Sequence, residues 1–174
     1  MNKILGLLLV LMVSISTITA QDKLSKKEKR QLEKLEEFEK LQDLISNKKL
    51  EFIADRAFPT GYRNVDLTTN PNFLRISNDS AHAEMPYFGR AFSATPGERG
   101  GIRFESEMIE KSIEINEKKM KVTLIFEIKD DGKNYRCILD MFGGGSASLS
   151  VGSDHLQQIS YNGNIEEYTP EEEK

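Results

Sequence analysis

Between residues 85 and 92 the chain reads Met85, Pro86, Tyr87, Phe88, Gly89, Arg90, Ala91, Phe92, its densest run of aromatic side chains around a cation. A guanidinium beside aromatic faces can hold an anion or a planar ligand, through paired hydrogen bonds and cation–π attraction. Tyr87, Phe88, Arg90 and Phe92 are therefore the ligand-binding candidates. The competing account is mechanical: Pro86 and Gly89 shape a bend, Tyr87 and Phe88 plug a barrel end, and Arg90 pairs with a carboxylate. Buried aromatic rings more often serve packing than recognition.

Other constellations carry less chemistry. The two histidines, His82 and His155, lack the helical HExxH spacing of a metal site, and Asp154 beside His155 sits on a short polar stretch that reads as surface. Gly143 to Gly145 precede Ser146 without the lysine of a phosphate loop, so they read as a turn between strands. No serine lies in a GxSxG elbow, and Cys137 falls on an inward strand position, where a thiol stays protonated. Carboxylate pairs such as Glu105 with Glu107 or Glu110 with Glu114 arise by chance among 28 acidic residues. No catalytic residue, metal or cofactor is assigned, and an enzyme is the least supported reading.

A chain of 174 residues that is 38% hydrophobic and 30% charged fits one domain with a modest core. Residues 1–20 read as an export signal: Lys3 at the start, an apolar run from Ile4 to Val13, then small residues up to Ala20. That run spans only ~15 Å as a helix, about half of a bilayer core, so removal is expected rather than anchoring. No cysteine follows it to take up lipid, and a lone Cys137 forbids an intrachain disulfide. The expected address is periplasmic or secreted, not that of a lipoprotein. Without residues 1–20 the chain holds 23 basic against 28 acidic residues, which disfavours nucleic acid as a partner.

The elements that must position any site follow from periodicity. Residues 21–48 are dense in Lys, Glu and Leu, and Ser25 with Glu28 forms a capping box, so a charged helix starts near Lys26. Leu32, Leu35, Phe38, Leu41 and Ile45 give it a narrow apolar stripe. Residues 49–165 read as an antiparallel β domain, and 166–174 as an acidic disordered tail. Leu50, Phe52, Ala54 and Phe58 alternate on a first strand, and the polar stretch from Tyr62 to Asn72 reads as a loop. Asn78 and Asp79 turn a hairpin that sets Arg75 opposite His82.

Three further hairpins can be registered from their turns. Pairing across Asp131 and Gly132 sets Phe126 against Cys137 and Leu124 against Leu139 on one side, Glu127 against Arg136 and Thr123 against Asp140 on the other. A loop at Asn116 to Lys119 predicts Ile115 opposite Met120 and Ile113 opposite Val122. The glycines at 143–145 predict Met141 opposite Ala147 and Leu139 opposite Leu149. Asn162 and Gly163 offer one more tight turn, between Tyr161 and Ile165. Ile125 and Ile138 form an apolar pair on the outer side, where the helix stripe is expected to dock. The fold class is mainly β: seven to nine short strands in a small antiparallel barrel or a sandwich, preceded by one amphipathic helix, with the barrel favoured because closure protects strand edges.

On the string from Pro86 to Ala91, with Gly101, Ile102, Phe104 and the Gly145 to Val151 hairpin, the chain resembles a secreted family of unknown function common in Bacteroidetes. The resemblance covers most of residues 45–165. It implies a periplasmic or secreted domain with lipocalin-like barrel topology and no assigned activity; the charged helix departs from the shortest family pattern. The expected function is that of an exported, non-enzymatic barrel binding a small apolar or amphipathic ligand. The alternative is a cell-envelope interaction module that engages a protein partner through the helix. The large meander side chains Phe126, Leu139 and Met141 favour a filled interior.

Overall fold

The computed structural model describes residues 25–46, 49–92 and 100–168, so the expected leader and the end of the acidic tail lie outside the described residues. The chain divides into two units, Met1–Gln31 and Leu32–Lys174. In the first, Ser25 caps the opening turn of helix α1 (Lys26–Ser46): its amide donates to Glu28 Oε2 at 2.7 Å, and the Glu28 amide to Ser25 Oγ at 3.3 Å. This is the predicted capping box, and the bond holds the Glu28 carboxyl below its usual range.

The second unit carries ten strands: β1 (Lys49–Pro59), β2 (Val65–Asp66), β3 (Phe73–Ser77), β4 (Ser80–Met85), β5 (Ile102–Glu107), β6 (Ile109–Asn116), β7 (Lys121–Asp130), β8 (Lys133–Phe142), β9 (Ser146–Ser153) and β10 (Ile159–Glu167). They form one antiparallel sheet in the order β5-β4-β3-β1-β10-β9-β8-β7-β6, with β2 paired beside β1. The two ends of this order, β5 and β6, are separated in sequence by Met108 alone. They act as one bent strand whose first half pairs with β4 and whose second half pairs with β7. Two further bonds tie β5 to β7, from the Glu105 amide to Asp130 Oδ2 at 3.0 Å and from Ser106 Oγ to the Lys129 carbonyl at 3.2 Å. The sheet is thus a nearly closed barrel, and the barrel reading holds over the sandwich.

The meander from β7 to β9 has the predicted register: Leu124 faces Leu139, Phe126 faces Cys137, and Leu139 faces Leu149. Each of these five side chains is 3% exposed or less. Burying such a side chain contributes roughly 1.5–3 kcal/mol. Arg136 pairs with Glu127 on the outer side at 3.0 Å, but the arginine is 57% exposed, and such a pair contributes under about 1 kcal/mol. Burial therefore sets the register, and the outer charges follow it. The β3–β4 hairpin also forms as read, with Arg75 opposite His82 and Asn78 at φ 58°.

Four expectations about strands and loops are corrected. Strand β1 loses its even alternation at Asp55, where a bulge between Ala54 and Arg56 turns Ala57 inward and leaves Phe58 exposed. Asn72 bridges the ladder there: the Ala54 amide donates to its Oδ1 at 2.7 Å and its Nδ2 donates to the Ala54 carbonyl at 3.0 Å. The loop from Tyr62 to Asn72 contains the short strand β2. Asn162 and Gly163 do not turn the chain; β10 runs straight through them, and Gly163 faces Ala54 at the bulge, where a Cβ would overlap the Ile53 carbonyl. Finally, Ile115 pairs with Val122 and Ile113 with Leu124, two residues away from the predicted register. The loop is Glu117–Met120: Asn116 caps a short 3-10 turn through the Lys119 amide, and Met120 takes a left-handed conformation at φ 49°.

Helix α1 does not dock on Ile125 and Ile138. It buries Phe38 and Leu41 beside the β8–β9 turn, where a Cβ on Gly143 would stand 3.4 Å from the Phe38 nitrogen. Leu44 and Ile45 pack against the core from the same end. Gly143 follows the end of an inward-facing meander, so residues 32–46 of the helix cover the mouth of the barrel rather than its outer wall.

Candidate functional site

The string from Pro86 to Phe92 is a strap pinned to the β9–β10 loop. Phe92 donates its amide to the His155 carbonyl at 2.8 Å, the Gln157 amide donates to the Arg90 carbonyl at 2.9 Å, and Ala91 bridges to Leu156. Tyr87 points its hydroxyl between the carbonyls of Arg90 at 2.7 Å and Gln157 at 2.9 Å, and burial raises its phenol above the ordinary range. Buried Tyr161 donates to the Pro86 carbonyl at 2.8 Å. Tyr87 and Phe88 pack on the core, whereas Arg90 is exposed and Phe92 is 67% exposed. The structure brings Tyr87 and Phe88 to the barrel end and leaves the other two candidates in solvent.

Beside the strap, His155 packs edge-on against buried Tyr135, with ring centroids 5.2 Å apart. Its Nδ1 lies 2.6 Å from Ser153 Oγ and 2.9 Å from Asp154 Oδ1, and its Nε2 lies 3.3 Å from the Tyr135 hydroxyl. Hydrogen bonds from His155 and then Asn134 hold Asp154 down to about 2. Serine and aspartate share one nitrogen, so no proton relay from serine through histidine to carboxylate exists. The group fastens the loop, and His155 is half-buried rather than on the surface as its neighbours suggested. Cys137 is wholly buried, and burial pushes its thiol up, away from nucleophilic chemistry.

The barrel's cavity lies at the opposite end, under α1. After Met108 the chain kinks: Glu110 has φ 50°, and the β6–β7 register shifts between Ile109 and Ser112. Beyond the kink β6 pairs with β7 alone. Ile113 and Ile115 face the same side as their β7 partners Leu124 and Val122 but have no strand on their other edge, and they stay 45% and 56% exposed. The result is a cavity of about 310 Å³. Its floor is Leu50, Ile76, Val122 and Leu124, its wall Met108, Ile113 and Ile115, its roof Gln42, Ile45 and Ser46, with Asn78 and Lys111 at the rim. Lys111 Nζ lies 2.7 Å from Asp79 Oδ1, and the Met108 amide donates to the Asp79 carbonyl, also at 2.7 Å, which ties the rim to the β3–β4 turn.

Sequence reasoning missed this site. Its one signal was the pair of isoleucines on β6, Ile113 and Ile115, which the register read as ordinary inward positions.

A nearly closed antiparallel barrel with a helix over its mouth and an apolar cavity beneath defines the class: a small β-barrel domain. A family model described as a domain of unknown function, DUF4251, matches residues 32–165, and the chain belongs to that family. Among solved structures, it is similar to the crystal structure of a DUF4251 family protein from Bacteroides eggerthii DSM 20697, with a TM-score of 0.60 and 12% identity, covering 79% of this chain and 91% of that one. At that identity the likeness speaks for the fold. No curated protein matches the chain.

Proposed function

We propose that this protein is an exported, non-enzymatic binding module that holds a small apolar or amphipathic ligand, and that the site is the cavity under α1 rather than the strap. The carrying observation is that cavity: about 310 Å³, with a lining that is mostly aliphatic and polar groups confined to roof and rim. Ligand sites are concave and mostly apolar with a few polar groups that orient the ligand, and this volume stands at the small end of their range. At the strap, by contrast, the backbone and Tyr87 bonds are made within the chain, so little is left to receive a ligand.

The test uses N-phenyl-1-naphthylamine, an uncharged dye that brightens in apolar surroundings. The wild type should bind it saturably at one site. Ile113→Trp, at a half-exposed position on the wall, should fill the cavity without disturbing the core and weaken binding by about tenfold. Unchanged binding in that variant would remove the site. Export is tested by the amino terminus of protein recovered outside the cytoplasm: Gln21 supports the proposal, and Met1 retained in a membrane fraction opposes it.

A second reading, a protein interaction through the helix, draws on Leu32 and Leu35. Both belong to the apolar stripe yet are 44% and 45% exposed. Glutamate at both positions should abolish association seen by sedimentation and leave dye binding intact.

A further inference from the structure

We infer that the ligand of this cavity is an uncharged single-chain amphiphile, with a head that carries hydroxyl groups rather than a carboxylate, phosphate or ammonium. The inference rests on the reading of the cavity as the binding site. A volume of about 310 Å³ holds about ten groups of the roughly 30 Å³ that a liquid water occupies, which suits one medium-length acyl chain. The floor and wall supply only aliphatic and thioether surface to that chain.

The head is decided by the rim. Lys111, the one cation among the described lining residues, is already matched by Asp79 at 2.7 Å. An anionic head would share that ammonium with a second carboxylate, and like charges on one site disfavour each other. It would also approach the carboxyl end of α1, the negative pole of the helix dipole, where no basic residue stands in the last turn. A quaternary ammonium would meet Lys111, and no aromatic ring among the described residues lines the cavity to receive it. What remains is neutral: the side-chain amides of Gln42 and Asn78 and the lone pairs of Ser46 Oγ, whose proton goes to the Gln42 carbonyl at 2.8 Å. Amides donate and accept, as a glycerol or alcohol hydroxyl does.

Displacement of N-phenyl-1-naphthylamine by 1-decanoylglycerol, decanoate and decyltrimethylammonium, each below its micelle concentration, tests the claim on the full chain. The glycerol ester should displace the dye at a concentration about tenfold lower than either ion. Asp79→Asn leaves Lys111 unmatched, so decanoate should gain about tenfold while the glycerol ester stays unchanged. Decanoate or the ammonium matching the ester on wild type would overturn the inference and leave the binding site standing. Dye that binds but yields to none of the three would also overturn it. Absence of saturable dye binding would instead bring down the site itself.

Discussion

Gly163→Ala tests the bulge that lets β1 and β10 close the barrel. Gly163 is not in the left-handed region, so the substitution brings no φ strain, and elsewhere in a strand it would gain about 0.4–1 kcal/mol through the unfolded chain. Here the new Cβ overlaps the Ile53 carbonyl and the Ala54 Cα, both backbone atoms with no rotamer to yield. Ala54 must move, and its two bonds to Asn72 go with it. Each bond contributes about 1 kcal/mol net, and a buried amide left without partners costs about 1–3 kcal/mol. Asn72 is only 8% exposed, so water replaces those bonds poorly. The net loss should be about 2–3 kcal/mol after the chain-entropy gain. In urea unfolding that lowers the midpoint by about 1–2 M at the usual slope. Gly152→Ala is the control: its Cβ would meet only the Arg136 carbonyl at 4.0 Å, so stability should hold or rise by up to about 1 kcal/mol. Equal stabilities for the two variants would refute the close approach of the two strands.

Asp140 accepts from Thr123 Oγ1 at 2.6 Å and Lys121 Nζ at 2.9 Å; burial works against its charge, but these bonds and the lysine's attraction prevail, and its carboxyl lies below the ordinary value. Stability from it is present above the unfolded carboxyl's range and lost as pH falls through the folded value, so Asp140→Asn should cost about 1 kcal/mol at pH 7, a cost that vanishes once pH is below the folded value, by thermal unfolding across pH. Phe38→Ala removes the main anchor of α1, so helix amides should exchange with solvent about a hundredfold faster, the equivalent of about 2.7 kcal/mol, while those of β7 and β8 keep their protection. Cys137 should react with a thiol reagent only at the rate of global unfolding; a rapid reaction in the native protein would contradict its burial.

The meander was legible because its turns and its alternation agree independently. Asp131 with Gly132, and the glycines at 143–145, tolerate positive φ, and the strands between them bury every second residue. Asn162 with Gly163 misled because one dipeptide serves two physical needs, a hairpin turn and a close backbone approach. Met120 and Glu110 adopt positive φ without being glycine, so neither the β6–β7 register nor the kink that opens the cavity leaves a local mark. The helix follows the same logic: its stripe was readable, but its seat depends on Gly143, some hundred residues further along. The capping box needed only neighbours in sequence, and it formed as read.

Strand β1 has β10 for its neighbour, with Leu50 opposite Glu167 and Pro59 opposite Ile159. Every other principal pairing joins segments close along the chain, so hairpins can form as soon as they are made. The ring cannot shut until residues 159–167 arrive, and until then β1 and β9 each present an unsatisfied ladder. A chain threaded end first would therefore stay open along its whole passage, guarded against sticking to its own copies only by charges such as Glu51 and Lys49, and would snap shut on release of its final strand.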